Sequence, residues 1–232
     1  MNSKILLLSF LSLFLFSCSS DVESGSEQQN PVGVKLANTI NLNGILLEYS
    51  YNEDQTVKIL DIGTNTMNFY YSENRISSVE YLNDEYSFQY DANGKITSFT
   101  FNDLEVDVTY NAAANSYSYE KEEGKQLTLK LTENEDIKEY SILDTQTEEL
   151  SKYEYFYDNS KKGVLTNSNP IAVSLVMITG FYDIGLYTSK RPVLTFSDSV
   201  TAFSFENTYD DDKFVTKSVI NGTNTVYYAY NQ

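Results

Sequence analysis

Tyr90-Asp91-Ala92-Asn93-Gly94-Lys95-Ile96 decides the fold. Asp91 is suited to cap a turn with its own side chain. Gly94, following Asn93, can take a positive φ at little cost. Ahead of this turn Tyr86, Phe88 and Tyr90 fall on one face. Beyond it Leu104, Val106, Val108 and Tyr110 do the same. Period-two alternation marks strands, so the stretch reads as the turn of a β-hairpin.

The same alternation runs outward in both directions. Leu47, Tyr49 and Tyr51 share a face, as do Leu127, Leu129 and Leu131, then Tyr153, Tyr155 and Tyr157, then Val226, Tyr228 and Tyr230. The 20 Tyr and 13 Phe suit a pleated, half-buried surface. Aligning the last aromatic or apolar residue before each polar cluster gives Tyr51, Tyr71, Tyr90, Tyr110, Leu131, Tyr157, Tyr209 and Tyr230. The early members recur about every 20 residues, which is room for two short strands and two turns. The expected fold is mainly β: a repetitive antiparallel meander of hairpins forming one large curled sheet.

Further turn copies are Tyr71-Ser72-Glu73-Asn74-Arg75-Ile76, which lacks Gly, and Tyr209-Asp210-Asp211-Asp212-Lys213-Phe214. Tyr157-Asp158-Asn159-Ser160-Lys161-Lys162-Gly163-Val164 carries an insertion. With the Tyr90 copy they resemble the YD repeat of the RHS family, whose core is Tyr-Asp, two variable residues, Gly, a basic residue and an aliphatic one. The resemblance covers about residues 45–165 and 203–232. Large RHS proteins are shells around toxins, and about eight units leave no room for a shell with cargo. What the resemblance implies is strand architecture. The layout is also similar to small Bacteroidota lipoproteins with such repeats, in which a buried helical segment interrupts the meander late in the chain.

Such an interruption stands at Pro170-Ile171-Ala172-Val173-Ser174-Leu175-Val176-Met177-Ile178. Asn169 is placed to N-cap a helix and Pro170 fits its first position. Apolar residues on all sides predict burial. The segment reads as one short buried helix near 170–180, plugging the curled sheet, with a buried strand as the rival. Gly180 breaks it, and Phe181 to Tyr187 form a second apolar stretch closed by Gly185.

At the N-terminus Lys4 precedes an apolar stretch from Ile5 to Phe16. It is shorter than the roughly 20 residues a spanning helix needs, so it reads as a signal peptide. The single cysteine follows in Leu15-Phe16-Ser17-Cys18, which resembles a bacterial lipobox with Cys18 as the lipidated residue. Ser19-Ser20-Asp21-Val22-Glu23 resembles the acidic surface-export signal of Bacteroidota lipoproteins. The expected organisation is a signal peptide at 1–17, a lipidated Cys and flexible tether at 18–38, and a β-repeat domain at 39–232. It predicts a protein held in the outer membrane by N-terminal lipid and exposed at the cell surface, with retention on the periplasmic face as the alternative.

Composition removes many chemistries. There is no His, no Trp and one Cys, so His-based triads, His- or Cys-ligated zinc and internal disulfides are out. A net charge of −17 repels nucleic acid. No phosphate-cradling glycine motif is present, and no cofactor or metal site is expected. Asp210-Asp211-Asp212 lacks the alternating ligand spacing of a calcium loop and reads as a turn. Asp198-Ser199-Val200 resembles a Bacteroidota O-glycosylation acceptor, making Ser199 a candidate modification site. Exposed Tyr ladders on the sheet are a candidate surface for a glycan or an envelope protein. The expected function is non-catalytic, by binding or as a structural component. The alternative is a carboxylate-dependent surface hydrolase of the glycosidase type, which needs two acids roughly 5–9 Å apart.

Overall fold

The computed structural model describes residues 34–198 and 200–231; Cys18 and Ser199 lie outside them. Among the described residues the strands are β1 (Leu36–Leu42), β2 (Ile45–Tyr51), β3 (Val57–Ile62), β4 (Asn65–Ser72), β5 (Arg75–Tyr81), β6 (Asp84–Tyr90), β7 (Ile96–Phe101), β8 (Leu104–Asp107), β9 (Thr109–Asn111), β10 (Ser116–Glu122), β11 (Lys125–Leu131), β12 (Ile137–Asp144), β13 (Leu150–Tyr157), β14 (Val193–Ser197), β15 (Ala202–Tyr209), β16 (Val215–Ile220) and β17 (Asn224–Asn231). Two short helices, α1 (Ala172–Thr179) and α2 (Gly185–Thr188), fall between β13 and β14, joined by a 3-10 turn at Tyr182–Ile184.

The strands form one antiparallel meander that nearly closes on itself. β1 pairs with both β2 and β17, which joins the two ends of the chain. At the far side of the ring β8 pairs with β7 and β9 with β10. β8 and β9 are consecutive halves of one extended run, parted only at Val108, whose N–H bonds the Thr97 carbonyl. A second thin seam lies between β14 and β15, which pair over only three residues. There the Asn207 amide spans the gap to the Val193 carbonyl at 2.8 Å.

The twenty-residue repeat has a physical cause at one rim of this barrel. Tyr51, Tyr71, Tyr90, Leu131, Tyr157 and Tyr209 each close a register shift in the ladder to the next strand. Their partners across the bulge are all aliphatic: Val57, Ile76, Ile96, Ile137, Val193 and Val215. A bulge adds one residue to one strand and increases local twist, which helps a long meander to curl. The opposite rim turns tightly instead. Asn43-Gly44, Leu82-Asn83, Asn102-Asp103 and Asn221-Gly222 all place two consecutive residues at positive φ, as the two-residue turns of a hairpin require. The Gly-less copy at Glu73-Asn74 uses this tight turn on the bulged rim.

The inside is filled by residues 163–191. They enter at the bulged rim, descend as α1, turn at Gly180 and climb back through α2. Leu165, Ile171, Leu175, Val176 and Ile184 are fully buried. Gly180 ends α1, as expected, and does so in the left-handed region with φ 66°. One expected detail differs. Ile171, not Asn169, stands at the N-cap, without a side-chain bond. Asn169 is drawn away to accept from the Val57 N–H and donate to the Tyr71 hydroxyl. Gly185 closes the 3-10 turn, as expected, but also opens α2, and a Cβ there would come within 2.8 Å of the Tyr155 ring. Hydrogen bonds pin this plug from opposite walls. The Tyr49 hydroxyl donates to the Tyr187 carbonyl at 2.6 Å, and the Tyr140 hydroxyl to the Gly180 carbonyl at 2.9 Å. The gaps left beside Leu186 measure about 10 Å³ each, no more than one water occupies.

The insertion in the Tyr157 copy is therefore the plug itself. Tyr157 forms its bulge with Val193 as the other copies do with their own aliphatic residue, but 35 residues of chain intervene. Gly163 marks the neck where the plug enters and leaves. Its N–H bonds the Lys190 carbonyl. A Cβ there would lie 2.7 Å from the Arg191 backbone, so no other residue fits without displacing main chain.

Candidate functional site

The bulged rim carries most of the chemistry. Its turns repeat one pattern: the residue after the Tyr or Leu bonds the backbone ahead of it. Asp91 Oδ1 accepts from the Asn93 and Lys95 N–H groups. Thr132 Oγ1 does the same for Asn134 and Asp136, and Asp210 Oδ1 for Phe214. These bonds to Lys95 and Asn93 hold the Asp91 carboxyl below its ordinary pKa. The fourth position of each turn lies at positive φ, filled by Gly94 but also by Gln55, Glu135 and Lys213.

The tyrosines then stitch neighbouring hairpins together. The Tyr71 hydroxyl donates to the Val57 carbonyl, Tyr90 to Ile76, and Tyr157 to Ile137, at 2.6–2.7 Å. Each acceptor is the aliphatic bulge partner of the preceding copy, whose carbonyl the broken ladder would leave short of a donor. A basic residue covers the ring. Arg75 lies 5.6 Å over Tyr90 and Lys95 4.8 Å over Tyr110, each fifteen residues ahead of its ring, and Lys161 lies over Tyr209.

Between the Arg75 and Lys95 hairpins and the start of α1 the rim is concave. The depression has a volume of about 280 Å³. Arg75, Lys95 and Asn74 line its lip; Pro170, Val173 and Ser174 form its floor. Gly94 leaves room for the Arg75 guanidinium, since a Cβ there would come within 3.1 Å of it. Glu135, on the far side, is paired with Lys190 at 3.4 Å.

One buried acid sits nearby, and a second, half-buried one lies at the other end of α1. Asp136 is 2 % exposed. Burial pushes its pKa up to about 6, against the pull of the Lys190 N–H and the charges of Arg191 and Lys190. Its Oδ1 accepts from the Lys190 backbone at 2.5 Å, fixing the exit of the plug to a rim turn, while Oδ2 has no hydrogen-bond partner among the described residues. Asp183, in the plug's 3-10 turn, is likewise raised by burial.

The Asp210-Asp211-Asp212 turn binds its own chain. Asp210 Oδ2 pairs with Lys35 Nζ at 2.6 Å, and Lys35 also lies over Phe214 and Tyr230. This cluster clamps the first described residues to the bulged rim. No group of three or more Asp or Glu that could hold a metal occurs among the described residues. The expected outward Tyr ladder is not what the fold builds. Among the tyrosines whose burial the structure describes, Tyr70 and Tyr227 are the most exposed, at 46 % and 56 %; most others turn inward, and several of their hydroxyls bond at bulges or on the plug. The rim pair Arg75 and Lys95 has a sequence signal of its own, a basic residue before an aliphatic one with Tyr fifteen residues later.

No protein-family model matches this chain, and no curated protein matches it.

Proposed function

We propose that this chain is a non-catalytic lipoprotein, anchored through Cys18 in the outer membrane and displayed at the cell surface, where it acts by binding or as a structural component. The observation that supports it most is the plug. With the barrel filled by α1 and α2, contacts with a glycan or an envelope protein fall to the rims and the outer wall. β1 starts at the bulged rim, where Lys35 is clamped to Asp210, and attachment through a residue that precedes β1 in sequence, as Cys18 does, is consistent with that arrangement. The RHS-like hairpins then serve as a scaffold, and Ser199 of the Asp198-Ser199-Val200 run is a candidate glycosylation site.

The test is metabolic labelling of the full chain with an alkyne fatty acid, together with protease shaving of intact cells. Label and surface exposure that both disappear in Cys18→Ser support the reading; an unlabelled wild type refutes it. The hydrolase alternative draws on Asp136, an acid with a raised pKa. Glycan cleavage by wild type that Asp136→Asn abolishes would favour that alternative.

A further inference from the structure

We propose that the rim depression between Arg75 and Lys95 is a binding site for a compact oxyanion, a carboxylate or phosphate carried on a body no larger than one sugar ring. The inference deepens the binding role proposed above and does not depend on the anchor.

Charge gives the first argument. On a chain of net charge −17, Arg75 and Lys95 open into one concavity, and neither lies within ion-pair distance of a carboxylate among the described residues. The acids around them are engaged. Glu135 is held by Lys190, and Asp91 is bound by the backbone of its own turn. An incoming anion therefore meets two cations that are not ion-paired, with Glu135 on the same lining drawn toward Lys190.

Rigidity gives the second. Arg75 rests on the Tyr90 ring and in the space left by Gly94; Lys95 rests on the Tyr110 ring. Each ring is itself fixed by its hydroxyl, Tyr90 to the Ile76 carbonyl and Tyr110 to Asn115 Oδ1. Cations pre-organised in this way lose little side-chain freedom on binding. The first turn of α1 supplies the floor, and the positive end of its dipole adds to the same field. Size sets the third limit. About 280 Å³ lies at the lower edge of small-ligand pockets and suits a single ring. The apolar floor of Pro170 and Val173 suits the ring's carbon face, with Asn74 at the lip for its hydroxyls.

The test is calorimetric titration of the full chain with galacturonate, glucose 6-phosphate and galactose. The expected result is saturable binding of at least one acidic sugar and none of the neutral one, weakened by added salt. Which acid binds more tightly identifies carboxylate or phosphate as the favoured group. Arg75→Gln and Lys95→Gln should each weaken it about tenfold or more, as loss of a charge-assisted bond implies. Asn74→Asp adds a negative charge at the lip without touching either ring contact and should weaken it severalfold. Equal binding of galactose would overturn the oxyanion assignment while leaving a binding role intact. Absence of binding by both acids at millimolar concentration, or binding unchanged in Arg75→Gln, Lys95→Gln and Asn74→Asp, would overturn the site.

Discussion

The two rims of the barrel solve one problem, reversing a strand, by different means. At the bulged rim the reversal depends on residue identity. A Tyr closes the bulge and caps the preceding carbonyl, an Asp or Thr binds the turn backbone, and a cation covers the ring. At the opposite rim no Tyr-closed bulge is needed: the two-residue turns depend on backbone handedness, and the longer ones are capped by Asp144 and Asp198, which accept from the backbone ahead of them. Asn-Gly, Leu-Asn and Asn-Asp all supply two positive φ values, and their neighbours are free to be exposed apolar residues such as Ile45, Leu104 and Val200. The comparison teaches why the repeat is visible in sequence at one end alone. Function-bearing geometry follows the same division: the plug enters and leaves at the identity-dependent rim, and the concave cation pair lies there.

Substitution can break this contrast, and the largest effect belongs to the plug. Val176→Asp puts a charge where nothing is exposed, a penalty on the order of 5 kcal/mol or more. Chemical denaturation should show no cooperative transition. The same change at Val200, 94 % exposed at the tight rim, should leave the midpoint unmoved. Gly163→Ala forces a methyl to within 2.7 Å of the Arg191 backbone, and overpacking of this kind costs roughly 3 kcal/mol or more. Gly222 has open space but a φ of 72°, so its Ala variant should cost only about 1 kcal/mol.

Asp136 sharpens the contrast through pH. Its folded pKa of about 6 stands above the ordinary 3.8, so the folded state holds the proton more tightly than the unfolded chain. Stability from the protonated acid is complete below about 3.8 and is lost as pH rises through about 6. Asp136→Asn keeps the acceptor for the Lys190 N–H. It should therefore be more stable than wild type at pH 7.5, by up to about 3 kcal/mol, and should lack the wild-type slope between those values. Melting curves across pH 4–8 read both effects, and a variant less stable than wild type at pH 7.5 would refute the assignment. The smallest difference is between two tyrosines. Tyr157→Phe leaves the Ile137 carbonyl without its donor and should cost roughly 1–2 kcal/mol. Tyr227→Phe, on the exposed wall, should cost less than about 0.5 kcal/mol.

Much of this architecture was legible before any coordinates. Alternation gave the strands, Tyr spacing gave the hairpins, and Pro170 to Gly180 gave a buried helix, because each depends on local pattern. Near closure of the barrel was not legible: it requires β1 to meet β17, a pairing across almost the whole chain that no local signal encodes. Burial of the tyrosines was misjudged for a related reason. A curled sheet with a plug has far more inside surface than a flat one, and Tyr49, Tyr140 and Tyr155 are spent there. Asn169 was read from its neighbours in sequence, where it looks like a cap, but its partners Val57 and Tyr71 lie about 100 residues away.

Native-state hydrogen exchange on the full chain tests most directly whether plug and wall are one folded unit. The Leu175 and Val176 amides in α1 should exchange only through global unfolding, with the same free energy as Leu127 and Leu129 in the wall. Exchange of α1 at markedly lower free energy, with the strands still protected, would show a plug that leaves the barrel by itself and would contradict this account.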